Sequence, residues 1–161
     1  MCDDRRGELG VGSWAVRWAP AAIVAFLREE AAAGEVEAAL RESERPSRLS
    51  AVNLAEVVDV MTRIYQWPVD GTMTALAMLE SGGLTIVPAD AAVGALAGVL
   101  HARHYDRRSS PLSMADCVAL ATAVVIDDAL ATSDQPLAAA ARAENVTVLP
   151  LPDSRGIRPA S

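Results

Sequence analysis

Asp116, Asp134 and Glu56 are the residues whose type and placement suit them to chemistry, because each acid stands where an apolar strand gives way to a helix. Ser113 is a capping residue with Asp116 three places later, in the first turn of a helix carried on by the apolar run 117–126. Residues 129–132 then read as a short buried strand, with Asp134 just past its carboxyl end. Asn53 and Glu56 repeat the pattern after a strand expected over 48–52: a capping residue, an acid three places on, and an apolar helix through Val57, Val60, Met61 and Ile64. In open parallel sheets ligands gather outside the carboxyl ends of strands, so acids delivered to that edge could share a cation. Each acid alone is explained by helix capping, Ser113 with Asp116 as a capping box and Ser133 or Asp134 as an N-cap before Pro136. It is the conjunction that points to a site.

The elements that must position these acids alternate along the chain. A strand over 14–19 is followed by helices over 21–30 and 35–41, the strand at 48–52, the Asn53 helix, a helix over 69–81, a strand over 84–87 and a helix over 91–104. After 111–136 come a helix over 137–143 and a last strand over 146–149. No hairpin signal joins any two strands, so the expected fold is α/β, a three-layer arrangement with a central parallel sheet covered by helices on both faces. Residues 1–13 are expected to be a poorly ordered extension, 14–150 the domain, and 151–161 a flexible Pro- and Arg-rich tail. Gly10, Gly12 and Ala15 mimic a dinucleotide fingerprint but precede the first strand instead of following one, which removes that reading.

Composition narrows the function. All 14 basic residues are arginine, so neither a phosphate-binding loop nor a phosphoacceptor receiver domain, both of which need a lysine, fits. The net charge of −7 argues against broad nucleic-acid binding. Carboxylates gathered round a divalent ion overstate that repulsion, however, and a nuclease stays open. Cys2 and Cys117 read as unpaired thiols of a reducing compartment. The start carries no signal-peptide pattern, and no apolar run reaches the roughly 20 residues needed to span a bilayer. A cytoplasmic protein with no membrane partner is therefore expected.

The densest basic patch is His101, Arg103, His104, Arg107 and Arg108 at the end of the 91–104 helix. Cations there complement the helix dipole, and the functional alternative is contact of Arg103, Arg107 and Arg108 with an RNA backbone. The two histidines have the spacing of zinc ligands but no third nitrogen or sulfur nearby. Asp59, one turn from Glu56, reads as a solvated helix residue or a supporting acid. The helices over 21–40 and 53–81 carry more apolar residues than one sheet face needs, which suits either a covered core face or a groove for an amphipathic partner helix.

Residues 50–58 (SAVNLAEVV), 112–121 (LSMADCVALA) and 131–134 (ATSD) resemble the PIN-domain family, in particular the VapC toxins of bacterial toxin-antitoxin pairs. The similarity runs from about residue 22 to 150. It implies a PIN fold and a metal-dependent endoribonuclease: an early Asp, a Glu and two later Asp residues hold Mg2+ or Mn2+ and cleave RNA such as transfer RNA. The last three map onto Glu56, Asp116 and Asp134, with Asp116 and Asp134 as metal ligands and Glu56 as a ligand or an orienter of bound water. Thr132 and Ser133, like Asn53 and Ser113, are possible supporting residues. The resemblance also implies a cognate antitoxin and a homodimer. The chain departs from the family at Ala19, which stands where the first acid is expected and is followed by Pro20 and Ala21. The alternative is thus a catalytically impaired PIN-fold module that binds antitoxin or RNA.

Overall fold

A strand whose residues are all apolar except a terminal threonine belongs where both sheet faces are covered, and β4 (Ala129–Thr132) is buried along its whole length. The computed structural model describes residues 15–42 and 46–160, and all five strands in it are parallel. They are β1 (Val16–Trp18), β2 (Ser47–Ser50), β3 (Leu84–Val87), β4 and β5 (Val148–Pro150), in the order β3-β2-β1-β4-β5. The chain builds outward from β1 to β3 and then crosses back to place β4 on the other side of β1. The carboxyl ends of β1 and β4 therefore form a topological switch point, where the connections leave in opposite directions and open a crevice.

Helices supply every crossover: α1 (Pro20–Leu27) and α2 (Ala33–Arg41), then α3 (Ala51–Asp59), a π-helical turn (Val60–Ile64) and α4 (Val69–Ser81). α5 (Ala91–His104), α6 (Met114–Ile126) and α7 (Gln135–Ala143) complete the set. One core lies under α1 to α4 and is built on Trp18, Ile23, Leu49, Val57, Met61 and Leu76. The other lies under α5 to α7 and is built on Leu100, Cys117, Leu120, Leu130 and Leu137. Adjacent residues of β4 split between them, Leu130 to one and Ala131 to the other, as the two-residue period of a strand requires. Each fully buried leucine contributes about 1.5–3 kcal/mol. With so few aromatic residues, the helices close on one another through small side chains: Ala97 of α5 and Ala119, Ala121 and Ala123 of α6 are all buried between α5, α6 and the sheet.

The expected three-layer α/β architecture is what forms, with differences at element ends. The second strand stops at Ser50, two residues short of the expectation, and Ser50 caps α3, its Oγ accepting from the Asn53 amide at 3.0 Å. Asn53 is therefore not the cap but a buried residue of the first turn, and the expected Asn53–Glu56 capping box does not exist. The last strand is Val148–Pro150 instead of 146–149, and α7 begins at Gln135. The expected 1–13 extension and Trp14 lie outside the described residues.

The expected flexible tail packs back on the domain. The Leu151 amide donates to the Thr132 carbonyl at 2.9 Å, continuing the β4 ladder. The Arg158 guanidinium bonds Glu35 of α2 at 2.6 Å and the Pro150 carbonyl, and Gln135 accepts from the Ala160 amide. Residues 152–156 read Pro-Asp-Ser-Arg-Gly, which is turn chemistry: Asp153 Oδ1 accepts from the Arg155 and Ile157 amides, and Gly156 takes a φ of 82°.

The sheet also encloses a charged joint. Arg17 of β1 and Arg48 of β2 are register partners and both bond Asp128, at 3.3 and 2.6 Å. Arg17 is fully buried, and its Nε and Nη1 find no hydrogen-bond partner among the described residues. Burial, partly offset by Asp128, lowers the Arg17 pKa to about 10. Among the described residues no helix is long and apolar enough to cross a membrane.

Candidate active site

Ala19, Glu56 and Asp134 follow β1, β2 and β4, so the topology sets all three positions at one edge of the sheet. Asp116 reaches the same edge from the start of α6. The electrostatics connect the acids: Glu56 titrates above the usual carboxylate range, first because it is half-buried and then because Asp116 and Asp59 repel its charge. Asp134 is likewise raised, by burial and by Asp116, although the bond from the Leu137 amide pulls it back. Asp116 is thus the charge that both others feel.

Capping and convergence coexist here. Asp116 Oδ2 closes the expected capping box, accepting from the Ser113 amide at 2.9 Å and the Ser113 hydroxyl at 2.7 Å, while Ser113 Oγ accepts from the Asp116 amide at 3.0 Å. Asp134 Oδ1 caps α7 through the Leu137 amide at 2.7 Å, and the Asp134 amide donates to Thr132 Oγ1 at 3.0 Å. Thr132 therefore orients Asp134. Each cap occupies one carboxylate oxygen, and among the described residues no hydrogen bond uses Asp116 Oδ1 or Asp134 Oδ2. Among the described residues Glu56 Oε2 is buried with no hydrogen-bond partner. A buried carboxylate oxygen without a partner, in the field of Asp116 and Asp59, is costly unless a cation or a proton arrives.

The donor set fits a hard divalent ion in one respect and not in another. All three groups offer oxygen, which Mg2+ and Mn2+ prefer. Among the described residues, however, no three acidic, histidine or cysteine side chains stand close enough to hold one ion together. The arrangement matches an ion held by one or two carboxylates with water completing its shell, the usual manner of Mg2+. Ala19 adds no ligand: it is 1% exposed, its amide donates to the Ala131 carbonyl at 3.0 Å, and Pro20 opens α1 directly after it.

Two clefts flank the acids. One of about 320 Å3 is walled by Glu56, Ser133, Val24, Tyr65 and Asp153, and one of about 540 Å3 by Asp134, Ser133, Asp153, Arg155 and Arg158. Ser133, singled out from the sequence, lies on the ridge between them. The tail residues were not, although the turn chemistry of 152–156 was the signal that the segment has a fixed place.

Other expectations separate from the site. Asp59 is exposed and held bidentately by Arg63 at 2.7 to 3.1 Å, an ordinary pair one turn apart. Arg103 and His104 both bond Glu144, at 2.7 and 2.6 Å, and together hold its carboxyl below the usual range. Glu144 closes α7 at the end opposite Asp134, so Arg103 lies at the amino edge of the sheet, away from the acids. His101 stacks on Tyr105 with centroids 4.7 Å apart, which leaves the two histidines in different contacts and removes the zinc pairing. Arg107 and Arg108 are exposed in the turn that follows α5.

Raised carboxylate pKa values carry a sign. The ionised forms of Glu56 and Asp134 cost stability above their folded-state pKa values, and the cost disappears as pH falls towards the ordinary carboxylate range. In chelator at neutral pH, Glu56→Gln is therefore expected to raise the melting temperature, and the difference from wild type should vanish in mildly acidic buffer. Calorimetric melts across that range check it. A variant that melts lower at neutral pH contradicts the electrostatic account.

Known proteins share this fold. The sequence model of the PIN domain matches residues 21–143. Among solved structures, VapBC2 from Rickettsia felis, bound to a DNA fragment from its promoter, superposes with a TM-score of 0.62 at 14% identity, covering 84% of this chain and 97% of that one. FitAcB from Neisseria gonorrhoeae gives 0.56 at 20% identity over 83% and 96%, and a toxin-antitoxin complex from Klebsiella pneumoniae 0.53 at 17% over 75% and 87%. No curated protein matches. With a sheet of order β3-β2-β1-β4-β5, acids at its carboxyl edge and a family match over most of its length, this chain belongs to the PIN-domain family.

Proposed function

We propose that this chain is a cytoplasmic, divalent-metal-dependent endoribonuclease, the toxin of a toxin-antitoxin pair, acting as a homodimer. The observation that carries the reading is the electrostatic coupling of Glu56 and of Asp134 to Asp116, together with a Glu56 oxygen buried with no hydrogen-bond partner among the described residues. The solved structures of similar fold include toxin-antitoxin complexes, which supports an antitoxin as partner. Val69, Met73 and Met78 of α4 and Ile64 of the π-helical turn are exposed, and they offer apolar area to such a partner.

Asp116 Oδ1 and Asp134 Oδ2 would hold Mg2+ or Mn2+, which when bound would supply Lewis-acid stabilisation of the phosphodiester and a more acidic water. The capping bonds fix those two carboxylates before any ion arrives. Glu56, its pKa raised by burial and then by the charges of Asp116 and Asp59, takes a proton from the attacking water at Oε2. Arg107 and Arg108 are exposed candidates for contact with the RNA backbone, whereas Arg103 is already engaged.

The test is cleavage of an RNA pool by the purified protein in Mn2+ and in chelator. Cleavage confined to Mn2+ supports the reading, and cleavage of equal strength in chelator sinks it. The second reading, a PIN-fold binding module with little catalysis, is favoured by Ala19. Ala19→Asp separates the two: a gain of about tenfold or more from a trace of activity marks the wild type as impaired, on the usual scale of adding or removing one group around a metal. Strong wild-type cleavage that Ala19→Asp leaves unchanged marks the first acid as dispensable here.

A further inference from the structure

Asn53 is 0% exposed and sits one helical turn before Glu56, on the same face of α3. Three bonds fix it. Its amide donates to Ser50 Oγ at 3.0 Å, the Ser50 hydroxyl donates to its Oδ1 at 2.5 Å, and its Nδ2 donates to the Ala115 carbonyl at 2.8 Å. Ala115 immediately precedes Asp116 in the first turn of α6. One buried amide therefore ties the end of β2 and the start of α3, which carries Glu56, to the start of α6, which carries Asp116.

The tie has something to resist. Two helix N-termini present partial charges of the same sign to each other, and the acids on them repel. We infer that Asn53 is a positioning residue of the acidic site: its bond to Ala115 fixes the separation of Glu56 and Asp116, and with it the affinity of the site for a divalent cation. The inference rests on the reading of the acids as a cation site. A buried amide is suited to the task, because its two ends are a donor and an acceptor on one rigid plane and both are used. An apolar residue would fill the space without setting the distance, and aspartate would set an acceptor against the Ala115 carbonyl. Positions that must be held to about half an ångström are commonly locked by such supporting bonds.

The experiment compares wild type, Asn53→Ala, Asn53→Ser and Val57→Ala. Val57 is also buried in α3 and makes no contact of this kind, so its truncation controls for lost stability. Mn2+ affinity is measured by calorimetry, and backbone amide shifts of residues 115–117 are recorded without metal. The expected result is about tenfold weaker Mn2+ binding in Asn53→Ala, with moved amides at 115–117 and neither effect in Val57→Ala at a comparable melting temperature. Asn53→Ser, too short to reach Ala115, should follow Asn53→Ala, and it serves alone where the alanine variant does not fold. Unmoved amides, or Mn2+ affinity equal to wild type, overturn the inference. Absence of Mn2+ binding by the wild type, with the amides still moved in Asn53→Ala, sinks the cation reading and leaves the joint between the helices standing.

Discussion

Asp116→Asn is expected to lower metal-dependent RNA cleavage about 10²–10³-fold, the loss typical of removing one central electrostatic element from an active site. The fold should survive, because asparagine keeps an oxygen able to accept from the Ser113 amide and hydroxyl. Stability in chelator should rise, since the charge of Asp116 adds to burial in pushing up both Glu56 and Asp134. Activity and stability then move in opposite directions, which general damage to the protein cannot produce. Asp59→Asn is the control: Asp59 is exposed and committed to Arg63, so its loss should leave cleavage within about twofold. Cleavage by Asp116→Asn within twofold of wild type would remove Asp116 from the chemistry.

How much of this site the sequence disclosed depended on the distance over which each residue is decided. The Ser113–Asp116 box and the Asp134 cap were legible because a cap involves only four consecutive residues. The start of α3 was misplaced because Ser50 and Asn53 are both good caps. The choice between them came from the pairing of Ser50 with Val87 in the sheet, a contact absent from local patterning. Ala19 was legible as a departure, and it is buried just past the end of β1. Within the basic patch, the engagement of Arg103 and His104 was not legible because their partner Glu144 is some forty residues away. The contacts of the tail were not legible from its proline and arginine content, because they lie against Thr132, Glu35 and Gln135, remote in sequence. That the three acids reach one edge followed from the alternation of strands and helices, but their separation did not, since it depends on how α3 and α6 pack.

The other large effect concerns the scaffold beneath the site. Asp128→Ala is expected to destabilise the protein by about 3–5 kcal/mol, the cost of removing one partner from a buried ion pair. Arg17 would be left fully buried with no acceptor for its charge, beside Arg48 in the next strand. Out of a typical stability of about 5–15 kcal/mol, that is a large fraction. Urea unfolding gives the number, and a loss below about 1 kcal/mol would contradict it. The double variant Arg17→Met with Asp128→Leu supplies the sharper test, because it removes the stranded charge as well and should recover most of the loss. The joint lies at the start of β4, and the acids lie beyond its other end, so the double variant should also keep Mn2+ affinity. If stability returns and Mn2+ affinity does not, then Arg17 and Asp128 reach the site through the strands they join, and the carboxyl edge depends on the amino edge for its geometry.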